Sequence, residues 1–179
     1  MMRNPFVVTG TKEIYKNHWI SVREDSVIRP GGQSGIFGVV QMVAGASVLP
    51  VTDRGTVFLV REYKYALGCP SLEVVSGGVE GEESPLSCAR RELQEEVGLA
   101  AARWDDLGRL DPFTTVVESP NYIFIARELS AVTPSPDPGE HIERVEVSFL
   151  EAMELVMTGQ ITHGASCVAI LKAARLCGY

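Results

Sequence analysis

Glu92, Glu95 and Glu96 are the residues of this chain whose type and spacing could do chemistry. On a helix, Glu92 and Glu96 are four apart and share one face, with Glu95 about 80° to 100° further round. The helix is signalled by Ser84 as N-cap, Pro85 at the first helical position and Gly98 just past the end, which predicts a helix over Pro85 to Val97. Leu86, Ala89, Leu93 and Val97 recur on one stripe that must face a core, so the three carboxylates lie off it. Like charges at i and i+4 repel by roughly 0.2–0.5 kcal/mol per pair, and Arg90 and Arg91 relieve that only in part. Mg²⁺ or Mn²⁺ is the natural compensation, because these hard cations take carboxylate oxygens and bridge to substrate phosphates. A Glu-rich helix taken alone is more often a solvated acidic face, so the helix by itself does not make the case for a metal.

The order of residues around the helix does make that case. The run Gly77-x5-Glu83-x7-Arg91-Glu92-Leu93-Gln94-Glu95-Glu96-Val97-Gly98-Leu99 fills every fixed position of the Nudix box. It resembles that loop-helix-loop signature of enzymes that hydrolyse nucleoside diphosphates linked to another moiety. The resemblance implies a metal shell of the Ser76 carbonyl, Glu92, Glu95 and Glu96 around two to three Mg²⁺ or Mn²⁺ ions. It also implies that Glu83 orients the site in a pair with Arg91, so Glu83, Arg91 and Glu92 count as catalytic. The implied chemistry is in-line attack on phosphorus by a water that the metals acidify, with no nucleophilic side chain. Ser76-Gly77-Gly78 suits this, since glycine has no Cβ to obstruct a close approach of the backbone.

Outside the box the chain resembles the ADP-ribose pyrophosphatase branch. The resemblance lies in Arg61-Glu62-Tyr63-Lys64, in Glu73 within Ser71-Leu72-Glu73-Val74-Val75-Ser76-Gly77-Gly78, and in Ile161-Thr162-His163-Gly164-Ala165-Ser166. The N-terminal meander with Tyr15-Lys16-Asn17-His18-Trp19 belongs to it too. The branch implies Arg61, Tyr63, Lys64, Glu73 and Glu118 as substrate-binding residues and a homodimer held through the meander. Trp19 is either a ring that stacks on the base or a packing residue. The implied general base is a glutamate of a late loop, and Gly139-Glu140-His141-Ile142-Glu143-Arg144 offers Glu140, with Glu143 as the alternate. Two departures stand out. Gln-Tyr-Arg of the branch is Glu62-Tyr63-Lys64 here, which exchanges a planar bidentate clamp for a point charge. Its Ser-Pro-Gly loop is replaced by Asp111-Pro112-Phe113-Thr114-Thr115-Val116-Val117-Glu118-Ser119-Pro120.

The implied reaction is Mg²⁺-dependent cleavage of a nucleoside diphosphate sugar, such as ADP-ribose, to a nucleoside monophosphate and a sugar phosphate. The alternatives are hydrolysis of nucleoside triphosphates or dinucleoside polyphosphates, and a sensing module that binds ADP-ribose without turnover. The sensing module usually lacks box carboxylates, and this chain has Glu83, Glu92, Glu95 and Glu96.

The elements that must position these residues read as strands, then a helix, then strands and helices. Alternating runs at Glu13 to Trp19, Ile20 to Ile28 and Gly35 to Val43 predict an antiparallel meander with a turn at Pro30-Gly31-Gly32. Ala46 to Val51 and Thr56 to Glu62 flank Thr52-Asp53-Arg54-Gly55 and read as a hairpin. Further strands are expected near Trp104 to Leu110, Tyr122 to Glu128 and Arg144 to Phe149, with helices near Leu150 to Thr158 and Ala165 to Leu176. The fold class is α/β, and the resemblance implies a Nudix α/β/α sandwich with a mixed sheet and an added N-terminal antiparallel β unit. Residues 1–179 read as one domain, with 1–44 the meander and dimerisation element and 45–179 the core. The Pro-rich stretch Pro134 to Gly139 reads as a surface loop beside a site.

With 179 residues, 45% hydrophobic and 22% charged, the chain has the composition of a folded globular domain. The formal charge of −7 opposes unassisted binding to nucleic acid or anionic membrane. The longest apolar stretch, Val39 to Val51, is interrupted by Gln41, Gly45, Ser47 and Pro50 and is too short to span a bilayer. No secretory signal is visible, and Cys69, Cys88, Cys167 and Cys177 show no metal spacing with His18, His141 or His163, so scattered reduced thiols and a cytoplasmic location are expected. No nucleic-acid or membrane partner is expected, and the resemblance implies a small-molecule nucleotide as substrate.

Overall fold

The computed structural model describes residues 3–135, 139 and 141–179. Its contacts divide the chain into two compact units, Met1–Val43 with Asp111–Pro120, and Ala44–Leu110 with Asn121–Tyr179. In the first unit, Val7–Lys16 (β1), Ile20–Ile28 (β2) and Ser34–Met42 (β3) form an antiparallel meander, and the short strand Val117–Glu118 (β9 in chain order) joins β3 in parallel. The strand expected over Glu13 to Trp19 stops at Lys16. Asn17 is the reason, because its Oδ1 accepts the N–H groups of Trp19 and Ile20, both at 2.8 Å, and turns the chain. Every residue of β1 is exposed.

The second unit carries strands with apolar side chains on both faces, and such strands must be covered on both sides. Its central sheet runs in the order β7 (Val75–Gly78), β4 (Gly45–Pro50), β10 (Asn121–Ala131), β8 (Leu99–Leu110). β4 and β10 are parallel, and the outer pairs are antiparallel, so the sheet is mixed. A smaller antiparallel sheet has the order β11 (Glu143–Ser148), β5 (Thr56–Lys64), β6 (Cys69–Glu73). Ala46, Val48, Phe58, Val60, Phe124 and Ala126 pack on one side with Cys88, Ala89, Leu93 and Val97 of α1 (Pro85–Val97). Leu49, Val57, Leu59, Ile123 and Ile125 pack on the other with α2 (Phe149–Met157) and α3 (Gly164–Cys177). This is the expected α/β/α sandwich. Truncating a fully buried residue such as Leu93 to Ala should cost about 2–5 kcal/mol.

The expected hairpin is corrected by the structure. Its turn forms, with Thr52 N–H to the Thr56 carbonyl at 2.9 Å and Gly55 in the left-handed region at φ 76°. The flanking strands share only the bridge Val51↔Val57 and then diverge into different sheets. Each already has two ladder partners, β4 with β7 and β10, and β5 with β11 and β6. Among the described residues no helix is long and apolar enough to cross a membrane.

Candidate active site

Local signals place the helix that bears the glutamates. Ser84 Oγ accepts the Ser87 N–H at 3.1 Å, Pro85 fills the first position, and Gly98 closes the helix in the left-handed conformation at φ 64°. With Cys88, Ala89, Leu93 and Val97 buried, Glu92, Glu95 and Glu96 are held partly buried on the flank. No basic residue stands in the last turn of α1. Arg144 of β11 supplies that charge instead. Its Nη1 donates to the Val97 carbonyl at 2.9 Å, and its guanidinium stands 4.6 Å from the Phe58 ring centroid.

Arg91 is the hub of the acidic cluster. Its Nη2 donates to Glu83 Oε1 and to the Gly78 carbonyl, both at 2.9 Å, and its Nη1 donates to Glu92 Oε1 at 2.7 Å and Glu95 Oε2 at 2.9 Å. The hydrogen bond from Arg91 pulls the Glu83 carboxyl below its ordinary range, against a smaller opposing effect of burial and with help from the Glu80 N–H. The bond with Glu83, aided by Glu92 and Glu95, raises the Arg91 pKa in turn, although burial opposes it. Cys88, one turn before Glu92, is pushed up to about 12 by burial and then by the charges of Glu92 and Glu83. Its Sγ donates to the Gly78 carbonyl at 3.2 Å, so it is an inert thiol.

The glycine-rich strand end makes room for this cluster. A Cβ on Gly77 would come 2.6 Å from Glu92 Cγ and closer still to its carboxylate, so the pocket of Glu92 exists only because residue 77 has no side chain. Ser76 is fixed beside it, its Oγ 2.9 Å from Ser47 Oγ and donating to the Val74 carbonyl at 3.1 Å. Among the described residues no three His, Cys, Asp or Glu side chains stand ready around one point, because Arg91 lies between Glu92 and Glu95. The donor set still fits a hard divalent cation. It consists of carboxylate oxygens at i, i+3 and i+4 of one helix, with Glu92 and Glu95 turned onto a single guanidinium nitrogen in a cradle that a Cβ would fill.

Across the gap from α1, β5 presents Lys64 and Glu62 on the face that Val60 shares with the helix. Lys64 Nζ pairs closely with Glu62 and lies 4.0 Å from Glu73 Oε2. Burial pulls the Lys64 pKa down, but the Glu62 hydrogen bond and the charges of Glu73, Glu62 and Glu96 outweigh it and leave it raised. Glu73 is only 6% exposed, and its Oε2 also lies 3.2 Å from His163 Nδ1.

The structure therefore brings Glu83, Arg91, Glu92 and Glu95 together and links Lys64, Glu73 and the charge of Glu96. It does not bring Arg61 and Tyr63 to them. Strand alternation turns both to the opposite face from Lys64. There Arg61 pairs with Glu143 at 2.8 Å and lines a hollow of about 340 Å³ with Ser71, Leu72, Glu151 and Gln160. Glu140 lies outside the described residues. Trp19 and Glu118 belong to the first unit. Trp19 is 67% exposed, meets His18 edge-on and lines a hollow of about 260 Å³, while Glu118 pairs with Arg23 at 3.8 Å. Arg144 and the partners of His163 escaped the sequence reading. The phase of Arg144 gave no signal, since Arg144 alternates with Val145 and Val147, the half-buried residues of its strand.

The sequence profile described as NUDIX domain matches residues 42–166, and the one described as nucleoside diphosphate sugar hydrolase N-terminal domain matches residues 7–40. An ADP-ribose pyrophosphatase of Bacillus subtilis is 28% identical over 167 residues, covering 89% of this chain and 87% of that protein. An ADP-ribose pyrophosphatase of Mycobacterium tuberculosis is 26% identical over 178 residues, covering 96% and 84%. A crystal structure of an ADP compounds hydrolase superimposes with a TM-score of 0.87 at 18% identity, covering 99% of this chain and 97% of that one, a likeness of fold.

Proposed function

The chain belongs to the NUDIX family of hydrolases, and from that premise we propose that it is a Mg²⁺- or Mn²⁺-dependent pyrophosphohydrolase of nucleoside diphosphate sugars of the ADP-ribose type. The observation that carries the reading is the Arg91 hub, which gathers Glu83, Glu92 and Glu95 beside the Gly77 cradle with Lys64 facing it. The N-terminal profile and the two ADP-ribose pyrophosphatases support the substrate class.

In this reading the Ser76 carbonyl, Glu92, Glu95 and Glu96 would hold two to three divalent ions, which would supply charge neutralisation of the diphosphate and acidification of water. The chain's own residues do the rest. Arg91 stays on Glu83 and the Gly78 carbonyl, which leaves Glu92 and Glu95 free to turn from it toward a cation. Lys64 exchanges Glu62 for phosphate oxygens and keeps Glu73 beside it. Glu140 accepts the proton of the attacking water as its oxygen bonds to phosphorus and the anhydride P–O bond breaks, releasing a nucleoside monophosphate and a sugar phosphate. Glu140 takes this role in preference to Glu143, whose carboxylate is engaged by Arg61 on the strand face away from Lys64. In the first unit, Trp19 offers its exposed ring to the base, and the fully exposed β1 offers its face to a second copy of the chain.

The test is phosphate release, coupled to a phosphatase, from ADP-ribose, other nucleoside diphosphate sugars, dinucleoside polyphosphates and nucleoside triphosphates. A preference for a diphosphate sugar that disappears with chelator and with Glu96→Gln is expected. Preference for a triphosphate or a dinucleoside polyphosphate would overturn the substrate class, and silence with retained ligand binding would overturn the enzyme.

A further inference from the structure

His163 and Ser166 lie in and just before the first turn of α3, and both side chains reach the corner where β6 gives way to β7. Ser166 is completely buried, and its Oγ accepts the Val74 N–H at 2.9 Å. Val74 is the residue between the two strands, so Ser166 satisfies a buried donor at the break. His163 Nδ1 stands 2.9 Å from Ser166 Oγ and 3.2 Å from Glu73 Oε2. A carboxylate only accepts, so the proton in the contact with Glu73 is carried by Nδ1. His163 occupies the N-cap position of α3 but makes no side-chain capping bond. Its imidazole is committed to Glu73 and Ser166 rather than to the helix.

Glu73 needs that donor. It is a nearly buried carboxylate, and a buried charge left without partners costs several kcal/mol. Its other close neighbour is Lys64, at 4.0 Å from the same Oε2. The two contacts hold one oxygen between an imidazole and an ammonium, and they join α3 to the β5 face that looks toward α1. Ser76 and Gly77 lie two and three positions after Val74, in β7, so the same turn of α3 also anchors the strand on which the Glu92 cradle is built.

We infer that His163 is a positioning residue, which holds Glu73 in place so that Glu73 in turn keeps Lys64 aimed at the diphosphate of the substrate. The inference rests on the reading of Lys64 as the cation that meets the diphosphate. A neutral imidazole suits the role. Burial, with Lys64 adding to it and Glu73 opposing, lowers the His163 pKa, so at neutral pH the ring orients Glu73 without competing with Lys64 for its charge. Asn at this position can place an amide N–H where Nδ1–H now stands, whereas Ala cannot.

The experiment compares His163→Ala and His163→Asn with the unaltered chain. It reads KM and kcat on whichever substrate of the panel is cleaved fastest, and calorimetric affinity for the α,β-methylene analogue of ADP-ribose with Mg²⁺. His163→Ala should raise KM and weaken analogue binding about tenfold with kcat within about threefold, and His163→Asn should restore both. Unchanged KM and affinity in His163→Ala, an equal loss in His163→Asn, or a fall in kcat and melting temperature alone would overturn the inference. If the fastest substrate is not a diphosphate sugar, the proposed substrate class fails, while the same comparison still tests His163 because every member of the panel carries a diphosphate. If the unaltered chain neither cleaves any member nor binds the analogue, the role of Lys64 falls and the inference with it.

Discussion

Glu92 rests so tightly against Gly77 that a methyl group at position 77 would come within 2.6 Å of its Cγ and nearer still to its carboxylate. Gly77 does not have a positive φ, so the requirement is one of space rather than of backbone conformation. Gly77→Ala should therefore leave the strand intact and push Glu92 aside by the order of an ångström. A displacement of that size at a reacting centre costs about 10²-fold in rate. Measured kcat/KM should fall by about that factor while the melting temperature moves by only a few degrees. Full activity in this variant would mean that the position of Glu92 does not matter to turnover.

Arg91 divides its donors between Glu83 with the Gly78 carbonyl and Glu92 with Glu95. Glu83→Gln removes the charge that draws the guanidinium away from the other two carboxylates. Arg91 should then compete harder for Glu92 and Glu95, and the Mg²⁺ concentration for half-maximal activity should rise about 10-fold or more, the effect expected when the partner that orients a ligand set is lost. A metal titration of activity reads this. An unchanged midpoint with a reduced maximal rate would assign Glu83 to the chemistry rather than to the setting of the ligands.

Helix α1 was legible because everything that defines it is local. Ser84 and Pro85 start it, Gly98 ends it, and the observed span of Pro85–Val97 is the expected one. The acidic cluster was legible for the same reason, since Glu83 to Glu96 lie within one continuous loop and helix. What the sequence did not show depends on partners distant in the chain. β4 and β5 read as a hairpin from their turn, and only the strands that flank each of them in space explain why they part. Residues 111–120 contribute β9 to the meander more than seventy positions earlier in the chain, with no periodicity to signal it.

Arg61 to Lys64 illustrates a different loss. Resemblance treats four consecutive residues as a unit, but a strand alternates, so Lys64 and Glu62 face α1 while Arg61 and Tyr63 face away. The contact between Glu73 and His163 spans ninety positions, and neither residue type announces the other.

The face on which Glu143 stands gives a prediction that separates it from Glu140. Glu143 is bound by Arg61 at 2.8 Å and is well exposed, so Glu143→Gln should lose a surface ion pair worth at most about 1 kcal/mol and keep turnover within about threefold. Glu140→Gln should lower kcat by about 10²- to 10⁴-fold, the usual contribution of a general base, with analogue binding retained. Single-turnover rates of the two variants decide the assignment, and a loss in Glu143→Gln with none in Glu140→Gln would reverse it.

The pH dependence of stability should show two separate windows. The folded pKa of His163 is lowered, so on acidification the unfolded chain takes up this proton before the folded one does. Stability from this source is complete above the unfolded value near ~6.5 and is lost as pH falls through the folded value, at no more than about 1.4 kcal/mol per pH unit. Glu83 is also lowered, through its bond with Arg91, and its contribution is present above the ordinary carboxyl value near ~4.3 and lost as pH falls through its folded value. Unfolding by urea at pH 7.5, 6.5, 5.5 and 4.5, values chosen at about one-unit steps across the upper window, should give a falling free energy below about 6.5 in the unaltered chain. His163→Asn has no ionisable group there and should flatten that decline. A decline of equal slope in His163→Asn would trace the upper window to another group, and His18 and His141 are the remaining histidines to substitute.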